Sequence, residues 1–337
     1  MQKIYFLVIS LVALVVNAQV GGQDTYQFLN MPVNPLHGAL GGKNVTMHNY
    51  DPSGVLINPS LVNEEMQSVA AINYMNLAAG INFGSAAYAY KLKADRGTIQ
   101  AGISYLGYGD FEGFDELGNP TNDFTGTEAA FSVGYAYRIP ETKFNAGLNV
   151  RLITSRLEQY SSFGLATDFS VAYIDPEKKW VISAVLRNFG AQLKAYDEVN
   201  ESLPTELLIG ISKQLENVPI RWHLTFENLQ QWDLAFRNPN RDETDIEGNV
   251  TEDNPNFINN FFRHTVFGAE LFPDGGFSVR VGYSFRRSQE LGLVDQNTFA
   301  GLSGGFMIKF NKLRFQYTFM RLHQSATSNL IGLNLKL

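Results

Sequence analysis

The chain has 337 residues, a formal net charge of −7 and no cysteine. The lack of cysteine excludes disulfides, thiolate metal sites and a lipid anchor on an N-terminal cysteine, and the acidic balance leaves no basic surface for nucleic acid. Aromatic residues make up 13% of the chain and apolar residues 45%, which is typical of β-strands with one apolar face.

The first eighteen residues have the pattern of a secretory signal peptide. Lys3 supplies a positive start, Ile4 to Val16 form a nearly unbroken apolar stretch, and Val16-Asn17-Ala18 places compact residues where a signal peptidase cleaves. The apolar stretch is shorter than the roughly twenty residues that a membrane-spanning helix requires. We therefore predict that residues 1–18 are removed and that the mature protein begins at Gln19; a retained anchor is the weaker alternative.

Residues 19–67 lack the alternation of a strand and instead contain turn signals. Gly38-Ala39-Leu40-Gly41-Gly42 is rich in glycine, and Asp51-Pro52-Ser53-Gly54 reads as a turn. Asn58 as N-cap with Pro59 at the first helical position predicts a short helix through about Met66. A segment of this size before a barrel suits a plug-like domain.

From residue 68 to the C-terminus, at residue 337, the sequence alternates with period two. The clearest case is 276–286, where Phe277, Val279, Val281, Tyr283 and Phe285 oppose Ser278, Arg280, Gly282, Ser284 and Arg286. This period indicates strands and not helices. Strands are predicted near 68–76, 80–92, 96–107, 127–138, 143–154, 162–174, 179–189, 205–215, 219–229, 263–272, 276–286, 298–310, 312–321 and 326–337.

The lengths of the predicted connections distinguish a membrane barrel from a soluble β-sandwich. Connections after even strands are tight, as at Pro273–Gly275 and Asn311, whereas most of those after odd strands are longer, as at Gly190–Pro204 and Gln230–Phe262. We predict an all-β, transmembrane antiparallel β-barrel of about fourteen strands in the outer membrane, with turns in the periplasm and long loops at the cell surface. The absence of a 40-residue repeat disfavours a propeller.

Charged residues on the strands fall mainly on the faces with Gly, Ser and Asn. An arginine on the lipid face at the bilayer midplane costs roughly 2–4 kcal/mol, so we assign such residues to the lumen. The predicted polar lumen residues are Arg138, Arg151, Asp168, Arg221, Glu227 and Arg280. By the same logic we expect Val281→Arg to impair assembly and Gly282→Ser to be mild.

Two strands depart from clean alternation. The strand at 80–90 changes face around Ser85–Ala87, which predicts a bulge. The strand at 179–189 is apolar on both faces, and the sequence offers no explanation for it.

No motif in the chain predicts catalysis or a bound cofactor. Gly301-Leu302-Ser303-Gly304-Gly305 formally matches a hydrolase nucleophile elbow, but the following residues continue a strand where that motif needs a helix. The five histidines show no pair at metal-ligand spacing and are expected to be polar residues of the lumen or loops: His37, His48, His223, His264 and His323. We therefore predict a non-enzymatic protein without a cofactor or metal.

Two loops carry features that bear on binding. In the acidic loop Gln230–Phe262, the residues Glu243, Asp245, Glu247 and Gly248 resemble the start of a calcium loop, but its twelfth position is Asn254 and lacks the bidentate Glu, so a solvated surface loop is expected. In Tyr108–Gly126, three phenylalanines stand among acidic residues. These phenylalanines either contact a partner or pack within the loop.

Several stretches resemble the PorQ family, outer-membrane components of the type IX secretion system, within the wider FadL-like barrels. The resemblance covers essentially the whole mature chain, and residues 157–166 are its most specific part. The stretches are Gly21-Gly22-Gln23-Asp24-Thr25-Tyr26-Gln27-Phe28-Leu29, Ala39-Leu40-Gly41-Gly42, Tyr108-Gly109-Asp110-Phe111, Leu157-Glu158-Gln159-Tyr160-Ser161-Ser162-Phe163-Gly164-Leu165-Ala166 and Gln231-Trp232-Asp233-Leu234.

The resemblance implies a barrel that anchors a PorZ-like surface protein in the cargo attachment complex. Its partners would include PorU-like and PorV-like components, outer-membrane lipid and anionic lipopolysaccharide. The residues expected to contact a partner are Tyr108, Asp110, Phe111, Phe114, Phe124 and Trp232. Two alternatives stay open: a FadL-type channel for hydrophobic small molecules, which should have an apolar lumen, and an outer-membrane enzyme, which the scattered histidines disfavour.

Overall fold

The computed structural model describes residues 24–92, 97–234, 243–244, 250–251, 256–292, 299–323 and 326–337. The predicted signal peptide at 1–18 and the predicted mature terminus Gln19 lie outside the described residues. Most of the calcium-loop-like stretch, including Asn254, also lies outside them.

In the described part of the chain, fourteen antiparallel strands form a closed barrel, which confirms the predicted fold class. Each barrel strand pairs with its neighbours in sequence, and the first strand pairs with the last, from Val69 opposite Lys336 to Asn76 opposite Asn329. The wall consists of β1 (Val69–Asn76), β2 (Asn82–Lys91), β3 (Thr98–Phe111), β4 (Phe124–Arg138), β5 (Phe144–Leu157), β6 (Tyr160–Asp175), β7 (Trp180–Lys194), β8 (Glu206–Gln214), β9 (Ile220–Phe226), β12 (Thr265–Leu271), β13 (Phe277–Ser284), β14 (Leu302–Phe310), β15 (Leu313–His323) and β16 (Ala326–Lys336). The short strands β10 (Glu243–Thr244) and β11 (Val250–Thr251) pair with each other outside the wall.

The described α-helices are short: α1 (Pro35–Ala39), α2 (Phe257–Arg263) and α3 (Phe285–Glu290). None of the helices in the described ranges is long and apolar enough to cross a membrane. Single 3-10 turns occupy Gln27–Asn30, Pro52–Leu56, Pro59–Leu61, Glu64–Met66 and Ala78–Gly80.

The predicted helix from Asn58 to Met66 is wrong in its length. Asn58 does cap a turn, since its side chain accepts a hydrogen bond from the Ser60 amide at 3.1 Å. The chain is then extended at Val62, and Asn63 caps a second turn by accepting from the Glu65 amide at 2.8 Å. Two Asn caps five residues apart therefore divide the stretch, because a capping residue itself takes a non-helical conformation.

The two faces of the barrel strands differ in the way that a membrane barrel requires. On β13, Ser278, Arg280 and Ser284 are buried towards the lumen, whereas Phe277 and Val281 are 49% and 43% exposed on the outside. The same alternation recurs around the wall, so the outer surface is a band of exposed apolar side chains. Such a band is stable when lipid covers it.

The connections at the two ends of the barrel differ in length. At the end that holds Val69 and Lys336, here called the turn side, each connection between strands is short. At the opposite end, the loop side, four connections are long (112–123, 195–205, 227–264 and 285–301) and three are tight (77–81, 158–159 and 324–325). The predicted boundaries of β3 and β4 are wrong, because this hairpin continues past Gly107 to the pair Phe111 and Phe124.

Residues 24–67, here called the luminal segment, thread through the barrel from the loop side to the turn side. Asp24 forms a bridge with Ser202 in a loop-side connection, and Glu64 forms an ion pair with Lys91 at the turn-side end of β2. Between these points most of the segment is buried. The inner faces of the wall are therefore covered by protein, and Gly, Ser and Asn there leave room for it.

The luminal segment explains both irregular strands. The predicted bulge in β2 is wrong: the register with β1 and β3 is continuous, and Phe83 lies inward with Ser85 because it packs in an apolar cluster with the luminal segment. On β7, Val185 faces inward in a cluster that includes the luminal Val33 and Val45. A bulge that follows it turns both Arg187 and Asn188 inward.

Candidate functional site

On the loop side, one sector of the lumen is apolar. Here the wall presents a cluster of buried side chains, which we call the apolar chamber: Met75, Phe83, Leu106, Ala130, Ile153, Ala166, Met320 and Leu330, with Leu203 from a loop-side connection. The luminal residues Phe28 and Leu29 fill it, and their side chains are 2% and 5% exposed. An apolar compartment inside a membrane barrel, closed by the chain itself, is the first candidate site.

Tyrosines close the chamber on the loop side. The Tyr26 hydroxyl contacts Ser162, and the Tyr26 ring lies 6.5 Å from the ring of Tyr196. The Tyr196 hydroxyl donates a hydrogen bond to Ser155, and burial raises the pKa of Tyr196 to about 12. Tyr196 therefore stays a neutral donor at physiological pH, and the chamber has a polar rim.

A charged cluster below the chamber holds the luminal segment to the wall. The Arg151 guanidinium lies 2.5 Å from Asp168, donates to the Asn188 side chain at 2.7 Å and also donates to the carbonyl of Leu56. The bulge on β7 brings Asn188 into the cluster, where its backbone amide donates to the Asp168 carboxylate at 2.9 Å. Arg151 and Asp168 are 3% and 0% exposed, so each charge depends on the other for stabilisation.

A second charged group stands beside the first. Arg187 donates to the carbonyl of Leu29 at 2.8 Å and lies 3.6 Å from Glu206, and the luminal Lys43 forms a 2.7 Å ion pair with the same Glu206. These contacts and those of Arg151 form the polar lock: Lys43, Arg151, Asp168, Arg187, Asn188 and Glu206. The polar lock binds the backbone of the luminal segment at two carbonyls, those of Leu29 and Leu56.

The turn-side half of the lumen is also held by charge. Glu270 accepts from Arg280 at 2.8 Å and from Arg221 at 3.1 Å, and Arg314 lies over the ring of the luminal Tyr50 at 3.5 Å. Gln316 donates to the luminal Asp51 at 3.0 Å. The lumen thus has an apolar chamber towards the loop side, and charged groups lie below it and, around Glu227, beside it.

Close contacts between backbones show where the wall needs glycine. A Cβ atom on Gly282 would lie 2.3 Å from the Gly41 amide nitrogen, and one on Gly147 would lie 2.3 Å from the Ser60 nitrogen. Real Cβ atoms do not approach backbone so closely. The expectation that Gly282→Ser is mild is therefore wrong, since residue 282 faces a filled lumen.

Ser303 of the elbow-like motif and His223 bind the luminal segment, in which His37 itself lies. The Ser303 hydroxyl donates to the carbonyl of Ala39 at 3.0 Å and accepts from the Gly41 amide at 3.2 Å. His223 contacts the Thr46 hydroxyl at 2.9 Å, and His37 contacts the side chain of Asn34 at 3.0 Å. Across the described ranges, no group of three or more His, Asp or Glu side chains is placed to hold a metal ion.

The six residues predicted to line the lumen lie at different heights. Arg151, Asp168 and Arg280 are buried inside it, whereas Arg221 stands nearer the turn side with its side chain 18% exposed. Arg138 ends β4 on the turn side and is exposed. Glu227 follows β9 on the loop side, beside a cavity of about 150 Å³ that Lys43 and Arg287 also line.

The residues predicted to contact a partner form two separate surfaces and do not all face outwards. Tyr108 packs at the edge of the apolar chamber and donates to Glu128 at 2.7 Å. Asp110 pairs with Thr125 in the β3–β4 hairpin, where Phe111 and Phe124 stack at 5.3 Å and Phe114 is 58% exposed. Trp232 lies near the start of the 227–264 connection, separated from that hairpin by the width of the barrel according to the strand order.

The tip of the β3–β4 hairpin is held by a carboxylate. Asp115 accepts hydrogen bonds from the backbone amides of Leu117 and Asn119 at 2.9 and 2.8 Å. The Asn119 side chain also donates to Asp115, and these bonds lower the pKa of the Asp115 carboxyl. The exposed phenylalanines are thus presented on an ordered turn.

Comparisons with known proteins support the fold. No family model matches the sequence, and no curated protein matches it. The toluene transporter TbuX of Ralstonia pickettii has a TM-score of 0.54 at 13% identity, over 92% of this chain and 100% of that one. A deltaS2 mutant of the TodX monoaromatic hydrocarbon channel has a TM-score of 0.52 at 12% identity, over 90% and 97%. At such identities the likeness shows the fold alone, a closed antiparallel β-barrel similar to those of these two outer-membrane proteins.

Proposed function

We propose that this protein is an outer-membrane channel for small hydrophobic molecules, closed in this structure by its luminal segment. The observation that carries the proposal is the apolar chamber, which the chain's own Phe28 and Leu29 occupy. A compartment of wall side chains that accepts a phenylalanine ring has the size and polarity to accept a monoaromatic molecule. The fold likeness to a toluene transporter and a monoaromatic hydrocarbon channel supports it.

Passage would require residues 24–31 to move, because they fill the chamber. The described contacts that hold this stretch include the Thr25 amide on the Ser202 carbonyl at 2.9 Å, the Tyr26 hydroxyl on Ser162 and Arg187 on the Leu29 carbonyl. Residues 33–66 are bound to the wall by a longer series of hydrogen bonds, at Ser85, Thr318, Ser303, Ser183, Asn149 and Ser170. We therefore place the opening movement in the first stretch.

The test is hydrocarbon entry into intact cells. Radiolabelled toluene uptake would be compared between cells that carry the barrel in the outer membrane and matched cells that carry an unrelated barrel at the same level. We expect faster initial uptake with this protein, and saturation as the toluene concentration rises. Equal rates, with the barrel shown to be folded and inserted, would contradict the channel proposal.

The second candidate is the anchoring of a PorZ-like surface protein, which the sequence resemblance implies. One observation favours it: the β3–β4 hairpin extends beyond the wall and carries Phe111, Phe114 and Phe124 at 40%, 58% and 38% exposure. Clustered aromatic side chains on an ordered turn suit a binding surface. PorU-like and PorV-like components would share the assembly.

Anchoring can be tested independently of transport. Cells lacking this protein should release the PorZ-like partner into the medium while the outer membrane stays intact, and replacing Phe111, Phe114 and Phe124 by serine should do the same with the barrel still folded. The matched control replaces three outward wall phenylalanines far from the hairpin, Phe267, Phe277 and Phe310, by leucine. Retention of the partner on cells lacking the protein would contradict the anchoring candidate.

A further inference from the structure

Helix α2, in the loop-side connection before β12, has its apolar face turned outwards. Phe257 and Ile258 are 69% and 63% exposed, and Phe261 and Phe262 are 40% and 44% exposed. These positions repeat at the spacing of one helical face. A surface helix of a soluble domain buries its apolar face against the core, whereas α2 exposes its apolar face.

The polar side chains of α2 fix this orientation. Asn260 is buried, donates to the Asp233 carboxylate at 3.1 Å and accepts from the Leu234 amide at 3.3 Å. The side chain of Asn256 caps the helix by accepting from the Asn259 amide at 2.8 Å. Rotating the helix to hide its phenylalanines would break the two hydrogen bonds of Asn260.

The exposed face of α2 continues the outer surface of the wall. Phe261 contacts Phe226, the last residue of β9, at 5.8 Å between ring centroids. Phe262 lies 5.1 Å from Phe285, which in turn lies 4.9 Å from Tyr283 near the end of β13. We call this surface the aromatic shelf: Phe226, Phe257, Ile258, Phe261, Phe262, Tyr283 and Phe285.

Below the shelf, the same sector of the wall carries an apolar groove. It has a volume of about 620 Å³ and runs between β13 and β15 over Gly304, whose lack of a side chain leaves the space. Phe277, Val281, Phe306 and Phe319 are among its lining residues. Shelf and groove are therefore one apolar surface, and its lower part faces lipid.

We infer that the aromatic shelf is a lipid-binding surface, with α2 lying in the headgroup and upper acyl region of the membrane leaflet on the loop side. Continuity with the lipid-covered wall identifies lipid as the occupant. Aromatic side chains concentrate at this depth, and amphipathic helices lie in this plane with their apolar face towards the acyl chains. The shelf thereby ties residues 256–264, which precede β12, to the membrane surface beside the barrel mouth.

Trp232 provides an internal probe of this surface. Its ring stacks on Phe257 at 5.0 Å and is 43% exposed. The chain has three tryptophans, and the other two, Trp180 and Trp222, contact each other on the turn-side half of the wall. Replacing both by phenylalanine leaves Trp232 as the sole emitter in an otherwise complete barrel.

The experiment measures quenching of Trp232 in phosphatidylcholine vesicles. With lipid brominated near the headgroup end of the acyl chain, we expect about a twofold loss of emission relative to unbrominated lipid, and weak quenching by aqueous iodide. Phe257→Ser with Ile258→Ser should abolish the loss by brominated lipid, whereas Phe114→Ser on the opposite hairpin should leave it unchanged.

Two outcomes would overturn the inference. One is strong iodide quenching of Trp232 in vesicles together with no effect of brominated lipid. The other is shielding of Trp232 in native outer membranes but not in pure lipid vesicles, which would assign the shelf to a protein partner. Neither outcome depends on toluene uptake, so this test and the channel test fail separately.

Discussion

Asp168→Leu should release the luminal segment from the wall by leaving Arg151 buried without its carboxylate. In the folded barrel the Arg151 side chain is 4% exposed and lies 2.5 Å from Asp168. Removing one partner of a buried ion pair costs about 3–5 kcal/mol, which corresponds to roughly two to four powers of ten in the equilibrium between bound and released segment. The Asn188 amide also loses its acceptor, which adds to the cost.

A double-mutant cycle separates the pair from its surroundings. Arg151→Met alone removes the donors to Leu56 and Asn188, and the double variant Arg151→Met with Asp168→Leu removes both charges. We expect a coupling energy of about 1–3 kcal/mol, as is typical of residues in one buried network. The exposed pair Arg286 and Glu290, at 2.6 Å with 34% and 44% side-chain exposure, is the control, with an expected coupling of about 0.3–0.5 kcal/mol.

The assay is urea unfolding of the refolded barrel in lipid vesicles, combined with limited proteolysis of the luminal segment from the loop side. The Asp168→Leu variant should show cleavage within residues 24–67 at urea concentrations that leave the strands intact. If the two substitutions are additive within about 0.5 kcal/mol, and the luminal segment resists protease as in the unchanged protein, the polar lock does not hold the segment.

Three further predictions concern the wall and the terminus. Gly282→Ser should displace the luminal segment, because its Cβ would lie 2.3 Å from the Gly41 nitrogen. The same limited proteolysis measures this displacement. The control is Gly276→Ser, where a Cβ would meet nothing within 4 Å, and its proteolysis pattern should be unchanged. Val281→Arg should lower the free energy of unfolding by roughly 2–4 kcal/mol through a charge on the lipid face, whereas Val218→Arg, on a turn-side connection and 43% exposed, should cost far less; equal costs would contradict the assigned facing. The membrane-extracted protein should begin at Gln19 by N-terminal peptide mass, and an intact Met1 would overturn the signal-peptide prediction.

The wall could be predicted from sequence because a lipid-facing strand has a strict period. On 276–286 the alternation predicts one strand, and the structure confirms it over Phe277–Ser284 with Phe277 and Val281 outside. The end of this prediction is wrong, because Ser284 caps a helix that contains Phe285 and Arg286. The loop-side ends were less predictable. The β3–β4 hairpin continues over Tyr108 to Phe111 beyond the regular pairing at Gly107, after a register shift that alternation does not reveal.

The inner face could be predicted only in part, because it is shaped by a segment distant in sequence. An apolar Phe83 on the same face as Ser85 suggests that β2 changes face, yet Phe83 is an inward residue that packs in the apolar chamber. Gly282 is expected from the sequence to tolerate serine, yet the luminal backbone packs directly against it. A strand read alone gives no sign that another part of the chain will fill the lumen.

The charged residues show the same limit. The polar faces of their strands predict Arg151, Asp168 and Arg280 in the lumen, whereas the alternation does not predict Arg187 or Glu206 there. Arg187 lies in a strand that is apolar on both faces and turns inward through a bulge, and Glu206 is a single acid at the start of β8. Arg187 and Glu206 contact Leu29 and Lys43 of the luminal segment, and alternation cannot predict such contacts. The one indication in the sequence is an acidic residue, Glu206, at the start of an apolar strand.

The central claim, that Phe28 closes an apolar chamber that accepts small hydrophobic molecules, is tested most directly by toluene uptake in cells carrying Phe28→Ala. Phe28 is 2% exposed inside the chamber, so its truncation leaves an apolar void large enough for an aromatic ring. The matched control is Phe267→Ala, an outward wall residue at 44% exposure, at equal levels of folded protein. We predict faster uptake for Phe28→Ala than for the unchanged protein and an unchanged rate for Phe267→Ala. Equal rates for Phe28→Ala and the unchanged barrel would contradict the channel account.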